Sequence, residues 1–298
     1  MFRHTLRTAA LLFASLSLPA LAAAPSAAAP SFEAPESAVQ DPASSVIYVS
    51  NISGQPGVKD GNGFISRLSA DGQVQELRFL PAAGGPKLDS PCGLALIGTT
   101  LWVADVDRVV GFDVRTRKAV RTYSLTSFGV QFANDLAVGP DGLLYVSDTA
   151  GDQVLTIDLK KQGPAALTLI LKGATGGANG LAFEAGSGDL LVAGSPGDFK
   201  TPARSWRVHR EAGKPFHHLS PLTQSVGIYD GVASAREGTV VLVSDWTRGT
   251  ISRVSPEGRA TPVVEGIKGP ADFALTADGR RLIVTDMVAG TVALHDLP

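Results

Sequence analysis

The stretch FANDLAVGPDGLLYVSD at residues 132–148 contains two short apolar runs on either side of a Pro-Asp-Gly turn. The alternation of apolar and polar residues and the turn dipeptide Asp141-Gly142 predict a β-hairpin. The first run starts with an amide and a carboxylate, Asn134 and Asp135, directly before Leu136. Burying polar groups without partners costs about 2–7 kcal/mol each. We therefore expect a ligand or further polar groups to lie opposite this pair.

The same pattern returns along the chain. Related first strands start with CGLAL at Cys92, NDLAV at Asn134, NGLAF at Asn179, DGVAS at Asp230 and ADFAL at Ala271. The second strands end at six positions: Asn51, Asp105, Asp148, Gly194, Asp245 and Asp286. These ends are roughly 41 to 54 residues apart, a period typical of propeller blades.

The fold class follows from this repeat. The runs are short and β-branched, Gly, Pro, Asn or Asp separate them, and no helical period is evident after the N-terminal segment. We predict an all-β fold, a six-bladed β-propeller of four-stranded antiparallel blades around a central channel. A β-sandwich is the alternative, but it would not need six copies of one pattern.

Composition limits the other possibilities. The chain has 298 residues, of which 44% are hydrophobic, and a formal net charge of −2. Such a balance gives no reason to expect nucleic acid or an anionic membrane as a partner. Cys92 is the only cysteine, so no internal disulfide can form and the fold must be stabilised by packing.

The N-terminal residues resemble an export signal. Arg3 and Arg7 precede an apolar run at residues 9–18, and Ala20-Leu21-Ala22 fits the small-x-small cleavage pattern. The run is shorter than the roughly 20 residues that cross a bilayer. We expect residues 1–22 to be a signal peptide, residues 23–31 a flexible Ala/Pro leader, and residues 32–298 a single propeller domain. The protein is then exported, either periplasmic or secreted.

Four oxygen-bearing side chains are expected to converge. In a propeller the innermost strands begin at one mouth of the channel, and PESAVQ places Glu36 before the first blade's second strand. Glu36, Asn134, Asn179 and Asp230 would therefore meet there. Four oxygens, two of them charged, suit a hard divalent cation. No His or Cys joins the set, which disfavours softer metals.

At these residues the sequence resembles the SMP-30/gluconolactonase/LRE-like family of six-bladed propellers, over essentially the whole mature chain. The resemblance implies hydrolysis of a lactone or related ester at a divalent cation, most often Ca²⁺, with Mg²⁺, Mn²⁺ or Zn²⁺ as alternatives. By motif, Glu36, Asn179 and Asp230 match the family's metal ligands. Asn134 matches its Asn at the metal and the substrate.

One position departs from the family. Sugar lactonases of this family carry an Arg two residues before that Asn, where this chain has Phe132. An apolar ring cannot bind sugar hydroxyls as a guanidinium can, which favours a less polar lactone or ester as the small-molecule substrate. Trp246 is the best tryptophan candidate for a substrate wall, and Trp102 and Trp206 are expected to pack between blades.

For the proton acceptor we expect Asp230 first and Asp135 second, because a carboxylate near the metal can orient and deprotonate water. The repeated Asp105, Asp148, Asp245 and Asp286 are instead expected to bind backbone amides in turns.

A different class of function stays open. A noncatalytic NHL-like propeller could present its loops to a peptide, glycan or protein, because one scaffold serves many tasks. The serine-hydrolase elbow, the Walker loop and the dinucleotide fingerprint do not occur in the sequence. The pair His217 and His218, between the fourth and fifth blades, is either solvated or a proton shuttle. We expect a monomer, since six blades can close on themselves.

Overall fold

Six antiparallel sheets follow one another along the chain in the computed structural model, which describes Met1 and residues 31–210, 218–235 and 240–297. In each sheet, hereafter a blade, the strands pair in sequence order. Blade 1 contains β1 (Pro35–Gln40), β2 (Ile47–Asn51), β3 (Phe64–Leu68) and β4 (Val74–Leu80). Blade 2 contains β5 (Pro91–Ile97), β6 (Thr100–Asp105), β7 (Arg108–Asp113) and β8 (Ala119–Ser124). Blade 3 contains β9 (Ala133–Val138), β10 (Leu144–Asp148), β11 (Gln153–Ile157) and β12 (Leu167–Lys172).

The second half of the chain repeats this arrangement. Blade 4 contains β13 (Ala178–Phe183), β14 (Leu190–Gly194), β15 (Trp206–His209) and β16 (His218–Pro221). Blade 5 contains β17 (Tyr229–Ser234), β18 (Val241–Asp245), β19 (Thr250–Val254) and β20 (Ala260–Val264). Blade 6 has three strands in the described ranges, β21 (Pro270–Leu275), β22 (Arg281–Asp286) and β23 (Thr291–Asp296). The six-bladed propeller is confirmed, and five blades have the predicted four strands.

Helical structure is minor. Two 3₁₀ helices, Thr126–Phe128 and Gly163–Ala166, are the helical elements of the described ranges. Within those ranges no helix has the length and apolarity needed to cross a membrane. The signal peptide expected at residues 1–22 and nearly all of the leader at 23–31 lie outside the described residues, so both stay predictions.

The core lies between neighbouring blades, where the apolar faces of adjacent sheets pack together. Trp102 of blade 2 packs against Tyr123, with ring centroids 5.7 Å apart, in a cluster that also includes Leu136 of blade 3. Ile283 of blade 6 packs with Ile47 of blade 1 and closes the ring. The predicted role of Trp102 as a packing residue is consistent with this cluster.

Each innermost strand starts with a β-bulge. In blade 1, Pro35 pairs with Asn51 and Ala38 with Val49, so the inner strand has one extra residue. The same irregularity occurs at the start of all six inner strands. The first residues inside the bulges are Glu36, Cys92, Asn134, Asn179, Asp230 and Ala271. The second residues are Ser37, Gly93, Asp135, Gly180, Gly231 and Asp272. A bulge interrupts the regular alternation of a strand and redirects the side chains of its residues. This explains why polar residues can occupy the starts of these buried strands.

The ends of the second strands hold the start of the inner strands in place. Asp148 Oδ1 accepts a 2.9 Å hydrogen bond from the N–H of Phe132, and Asp105 Oδ1 accepts one of 2.8 Å from Ser90. Asp286 binds the N–H groups of Gly269 and Ala289. Asp245 accepts hydrogen bonds from Thr247 and Arg248 in the turn that follows it. These carboxylates therefore bind backbone amides, as the sequence predicted.

Candidate functional site

A cavity of about 520 Å³ lies at the heads of the inner strands. Four first bulge residues line it, Glu36, Cys92, Asn134 and Asp230. Its other lining residues are Ile52, Pro56, Phe132, Phe199, Ile228, Trp246, Thr247 and Met287. A pocket of this size is within the range of small-molecule sites, roughly 300–1,000 Å³. The structure thus brings predicted residues from blades 1, 3 and 5 to one cavity.

Several polar atoms at this cavity are buried without partners. Glu36 Oε2, Asp230 Oδ1 and both amide atoms of Asn179 find no hydrogen-bond partner among the described residues. Asn179 is not a lining residue, but its amide acts on Asp230 and it is 1% exposed. An unsatisfied buried polar atom costs about 1–3 kcal/mol. A cluster of them is therefore best explained by a polar ligand that completes the site.

Burial and mutual repulsion raise the pKa values of these carboxyl groups. Burial is the largest cause that raises the pKa of Asp230 to about 7, and the negative charge of Asp272 adds to it. The hydrogen bond from Trp246 lowers the pKa, and so does the Asn179 amide, which interacts with the Asp230 carboxylate without forming a hydrogen bond of normal geometry. The pKa of Glu36 is held well above its ordinary range by burial and then by the charge of Asp230. A bound cation would relieve both effects.

Two further aspartates, Asp135 and Asp272, occupy second bulge positions near Glu36 and do not line the cavity. Asp135 accepts hydrogen bonds from the N–H groups of Leu136 (2.7 Å) and Leu181 (2.6 Å), one on each carboxylate oxygen. Burial and then the charge of Asp272 keep the pKa of Asp135 well above its ordinary range. Because it is not a lining residue, these contacts favour Asp230 over Asp135 as the group that meets water.

Asp272 is a member of the site that sequence reasoning missed. Its Oδ2 accepts a 2.7 Å hydrogen bond from Ser37 Oγ, which joins blades 6 and 1. Burial raises its pKa to about 6, against the lowering effect of the Ser37 hydrogen bond. Asp272 occupies in ADFAL the place that Asp135 occupies in NDLAV, so aligning the repeats on the bulge would have identified it.

The donor set fits a hard divalent cation only when the amides are counted. In the described part of the chain, no three His, Cys, Asp or Glu side chains are grouped so that they could hold a metal ion by themselves. Glu36 and Asp230 supply two carboxylates, and the amides of Asn134 and Asn179 supply two further oxygen donors. Carboxylate and amide oxygens are ligands that Ca²⁺ and similar cations take. The unpartnered oxygens of Glu36, Asn179 and Asp230 are consistent with this fit.

The cavity walls are mostly apolar, and their positions follow the repeat. Phe132 and Ile228 each lie two residues before a first bulge residue. Ile52, Trp246 and Met287 each directly follow the end of a second strand. This register would have identified Ile52, Ile228 and Met287 beside the predicted Phe132 and Trp246. Phe199, in the segment between β14 and β15, gives no such signal.

Of the histidine pair, the structure describes only His218. His217 is outside the described residues. His218 begins β16 and stacks on His209 of β15, with ring centroids 5.2 Å apart. Neither His209 nor His218 lines the cavity, so nothing in their placement supports a proton shuttle to the site.

Solved structures share this fold. A gluconolactonase from Xanthomonas campestris matches with a TM-score of 0.66 at 18% identity, over 91% of this chain and 87% of that chain. A calcium-binding protein, regucalcin, from Agrobacterium tumefaciens matches with a TM-score of 0.61 at 20% identity, over 86% and 83%. A virginiamycin B lyase from Staphylococcus aureus matches with a TM-score of 0.57 at 13% identity, over 89% and 95%. No family model matches the sequence, and no curated protein matches it significantly.

The similarities are therefore similarities of fold. Proteins of the gluconolactonase and regucalcin type are among the structural neighbours, in agreement with the resemblance found in the sequence. A lyase is among them too, so the choice of chemistry depends on the site itself.

Proposed function

We propose that the protein is an exported hydrolase that opens a lactone or a related ester with the help of a divalent cation, Ca²⁺ in the first instance. The observation that carries the proposal is the set of unpartnered buried atoms on Glu36, Asn179 and Asp230 beneath an apolar cavity. Similarity in fold to a gluconolactonase and to a calcium-binding regucalcin supports it.

Glu36, Asn134, Asn179 and Asp230 would hold the cation. When bound, it would polarise the substrate carbonyl oxygen and stabilise the negative charge that develops there. The side chains of Phe132 and Trp246 would lie against the rest of the substrate and exclude bulk water from it.

We assign Asp230 as the general base, the group that accepts a proton from the attacking water. Trp246 Nε1 donates a 2.7 Å hydrogen bond to Asp230 Oδ2, which fixes the carboxylate and leaves Oδ1 without a partner. Without the cation the pKa of this group is raised to about 7; a bound cation would lower it, so that the carboxylate would be ionised and able to accept a proton near neutral pH. Asp135, with both oxygens engaged by backbone N–H groups, is assigned a positioning role behind the site.

Hydrolysis assays on a panel of lactones and esters, with added Ca²⁺ and with a chelator, test the proposal. We expect hydrolysis that depends on the cation, and a loss of about 10²-fold or more in Asp230→Asn, the scale on which a general base contributes. Asp71→Asn, in the exposed turn between β3 and β4, is the matched control and should retain activity. Activity unchanged in Asp230→Asn would remove Asp230 from the reaction.

The cation also separates the enzyme from a noncatalytic binding propeller. A ligand that binds only the folded protein raises its stability, so Ca²⁺ should raise the melting temperature above that measured in chelator. No hydrolysis of any substrate and no shift with Ca²⁺, Mg²⁺, Mn²⁺ or Zn²⁺ would favour the binding propeller.

Export and the monomeric state are parts of the same proposal. The N-terminal pattern of residues 1–22 supports cleavage near Ala22. Mass spectrometry of the mature N-terminus in the exported fraction, and light scattering of the purified protein, measure the two properties directly.

A further inference from the structure

The charged residues that line the cavity, within the described part of the chain, are all acidic. Its charged lining residues are Glu36 and Asp230, and no lining residue from the described ranges is Lys, Arg or His. A substrate that carries a carboxylate or a phosphate would have no cationic side chain to pair with here, and any negative charge left at the site would repel it. Apart from the proposed cation, the cavity therefore offers no positively charged group to an anionic substituent of the substrate.

The walls are built to contact apolar surface. Phe132 packs with Ile52 and Cys92 in a small buried cluster, and its ring is 7% exposed. Its backbone is fixed on both sides, because its N–H donates to Asp148 and its carbonyl accepts from Thr149. Phe132 is thus a rigid wall and not a side chain free to turn away from the site.

Phe199 extends this wall to the rim. Its ring meets that of Phe132 in an edge-to-face contact, with centroids 6.1 Å apart, and it is 41% exposed. A large aromatic side chain exposed at the edge of an apolar cavity is a surface that a ligand can cover. The apolar contact surface thus continues from the floor beside Glu36 and Asp230 out to the rim.

We propose that the substrate is a neutral lactone or ester with an apolar chain or ring, whose reacting carbonyl lies over Glu36 and Asp230 while the apolar part lies along Phe132, Phe199 and Trp246. This inference rests on the proposed hydrolase function and specifies its substrate class. The cavity volume of about 520 Å³ is within the range of sites that hold drug-sized ligands, roughly 300–1,000 Å³, which leaves room for a chain beyond a lactone ring.

A homologous series tests the substrate class. γ-Lactones with alkyl chains from methyl to octyl are compared with glucono-δ-lactone in the presence of Ca²⁺. Burial of each methylene is expected to raise kcat/KM about three- to fourfold, until the chain extends past Phe199. Glucono-δ-lactone, which presents hydroxyls to an apolar wall, is expected to react at least about 10²-fold less efficiently than the best alkyl lactone.

Two variants of one residue sharpen the comparison. Phe132→Leu keeps an apolar wall and should retain the dependence on chain length. Phe132→Arg introduces a cation beside the site and should lower kcat/KM for the octyl lactone by at least about tenfold. The same variant should raise kcat/KM for glucono-δ-lactone relative to that for the octyl lactone. Circular dichroism verifies that both variants are folded. If Phe132→Arg does not fold, the chain-length series and glucono-δ-lactone measured on the native protein still test the substrate class.

Binding of unreactive alkyl γ-lactams separates this inference from the proposed function. Tryptophan fluorescence reports binding, and Trp246→Phe identifies the part of the signal that comes from the cavity. Lactam affinity that rises with chain length, without hydrolysis of any lactone, would uphold the apolar site and overturn the hydrolase. Efficient hydrolysis of glucono-δ-lactone, together with lactam binding that is absent or independent of chain length, would overturn the substrate class and uphold the hydrolase.

Discussion

The indole nitrogen of Trp246 donates a 2.7 Å hydrogen bond to Oδ2 of Asp230, and the other oxygen of this carboxylate has no partner in the described chain. Trp246 directly follows the end of β18, and Asp230 lies in the bulge that begins β17, so one hairpin supplies both groups. The hydrogen bond lowers the pKa of Asp230 against the raising effect of burial. Trp246 is therefore both a wall of the cavity and a group that orients the carboxylate.

Replacing Trp246 by Phe should weaken cation binding. The substitution keeps an aromatic wall but removes the donor, so Asp230 loses its orientation and its pKa rises. Loss of a residue that hydrogen-bonds to a metal ligand typically lowers metal affinity about 10- to 100-fold. We expect a decrease of this size in Ca²⁺ affinity, measured at neutral pH by calorimetric titration. Trp206→Phe is the matched control, because its indole donates to Thr175 O at 2.9 Å, away from the lining residues. Equal affinities in the two variants would contradict the orienting role of Trp246.

Asn179 should show opposite effects on stability and on binding. Both of its amide atoms are buried without partners, so Asn179→Leu removes the cost of those atoms, about 1–3 kcal/mol. In chelator the variant is expected to unfold at a higher temperature than the native protein, and in Ca²⁺ it should lose the stabilisation by the cation. Melting curves under both conditions measure the two effects.

Asn51 provides the matched control for this substitution. It is a buried Asn at the end of β2, but its Oδ1 accepts from Glu33 N and its Nδ2 donates to Ser66 Oγ at 3.0 Å. Asn51→Leu should therefore destabilise the protein in chelator and in Ca²⁺ alike. Destabilisation of Asn179→Leu to the same extent would indicate that Asn179 is a structural residue and not a ligand.

The buried carboxyl groups also influence how the stability of the cation-free protein depends on pH. The pKa of Asp230 is raised to about 7 and that of Asp272 to about 6, from an ordinary value of 3.8. Between the ordinary and the raised pKa the folded protein binds more protons than the unfolded chain, so the free energy of unfolding falls as pH rises. The contribution of Asp230 and Asp272 to the free energy of unfolding is fully present below about pH 4 and is lost above about pH 7. In chelator the melting temperature should therefore be lower at about pH 8 than at about pH 5.

Ca²⁺ should reverse this trend, because the cation and protons compete for the same carboxylates and binding releases protons. The stabilisation by Ca²⁺ is expected to be small at about pH 5 and larger at about pH 8. Glu36→Gln removes one charge from the cluster. In this variant the melting temperature in chelator and the stabilisation by Ca²⁺ should both depend less on pH. A stabilisation by Ca²⁺ that is equal at the two pH values would argue against binding at these groups.

The sequence allowed the strand framework to be predicted closely. The six positions predicted as ends of second strands are the observed ends of β2, β6, β10, β14, β18 and β22. This was possible because one short apolar pattern that ends in Asn, Asp or Gly recurs six times. The strands themselves are buried along almost their whole length, on both faces. Blade 6 has three strands within the described residues, where four were expected; the repeat marks only the first two strands of a blade strongly.

The site was predicted in part. The matching places of Glu36, Asn134, Asn179 and Asp230 in four of the repeats predicted their convergence. Three of the four line one cavity, and Asn179 does not line it but acts on Asp230. The engagement of both Asp135 oxygens by backbone N–H groups could not be predicted, because Leu181 belongs to the next blade. Phe199 was missed for a similar reason, since an apolar residue in an irregular segment carries no periodic signal.

The close contact between adjacent inner strands gives a last prediction, at Gly180. This residue is the second bulge residue of β13, and a Cβ added there would lie 2.3 Å from the carbonyl oxygen of Asp230 in the next blade. Gly180→Ala must therefore displace the backbone of Asp230, with a cost of about 1–3 kcal/mol and a loss of Ca²⁺ affinity. At Gly54 an added Cβ would meet the end of an exposed side chain, Asp60 Oδ2, at 2.9 Å, which can move aside. Gly54→Ala is thus the matched control, and both variants are compared by melting temperature and calorimetric titration. If Gly180→Ala binds Ca²⁺ as tightly as Gly54→Ala does, the position of the Asp230 backbone does not control the cation site.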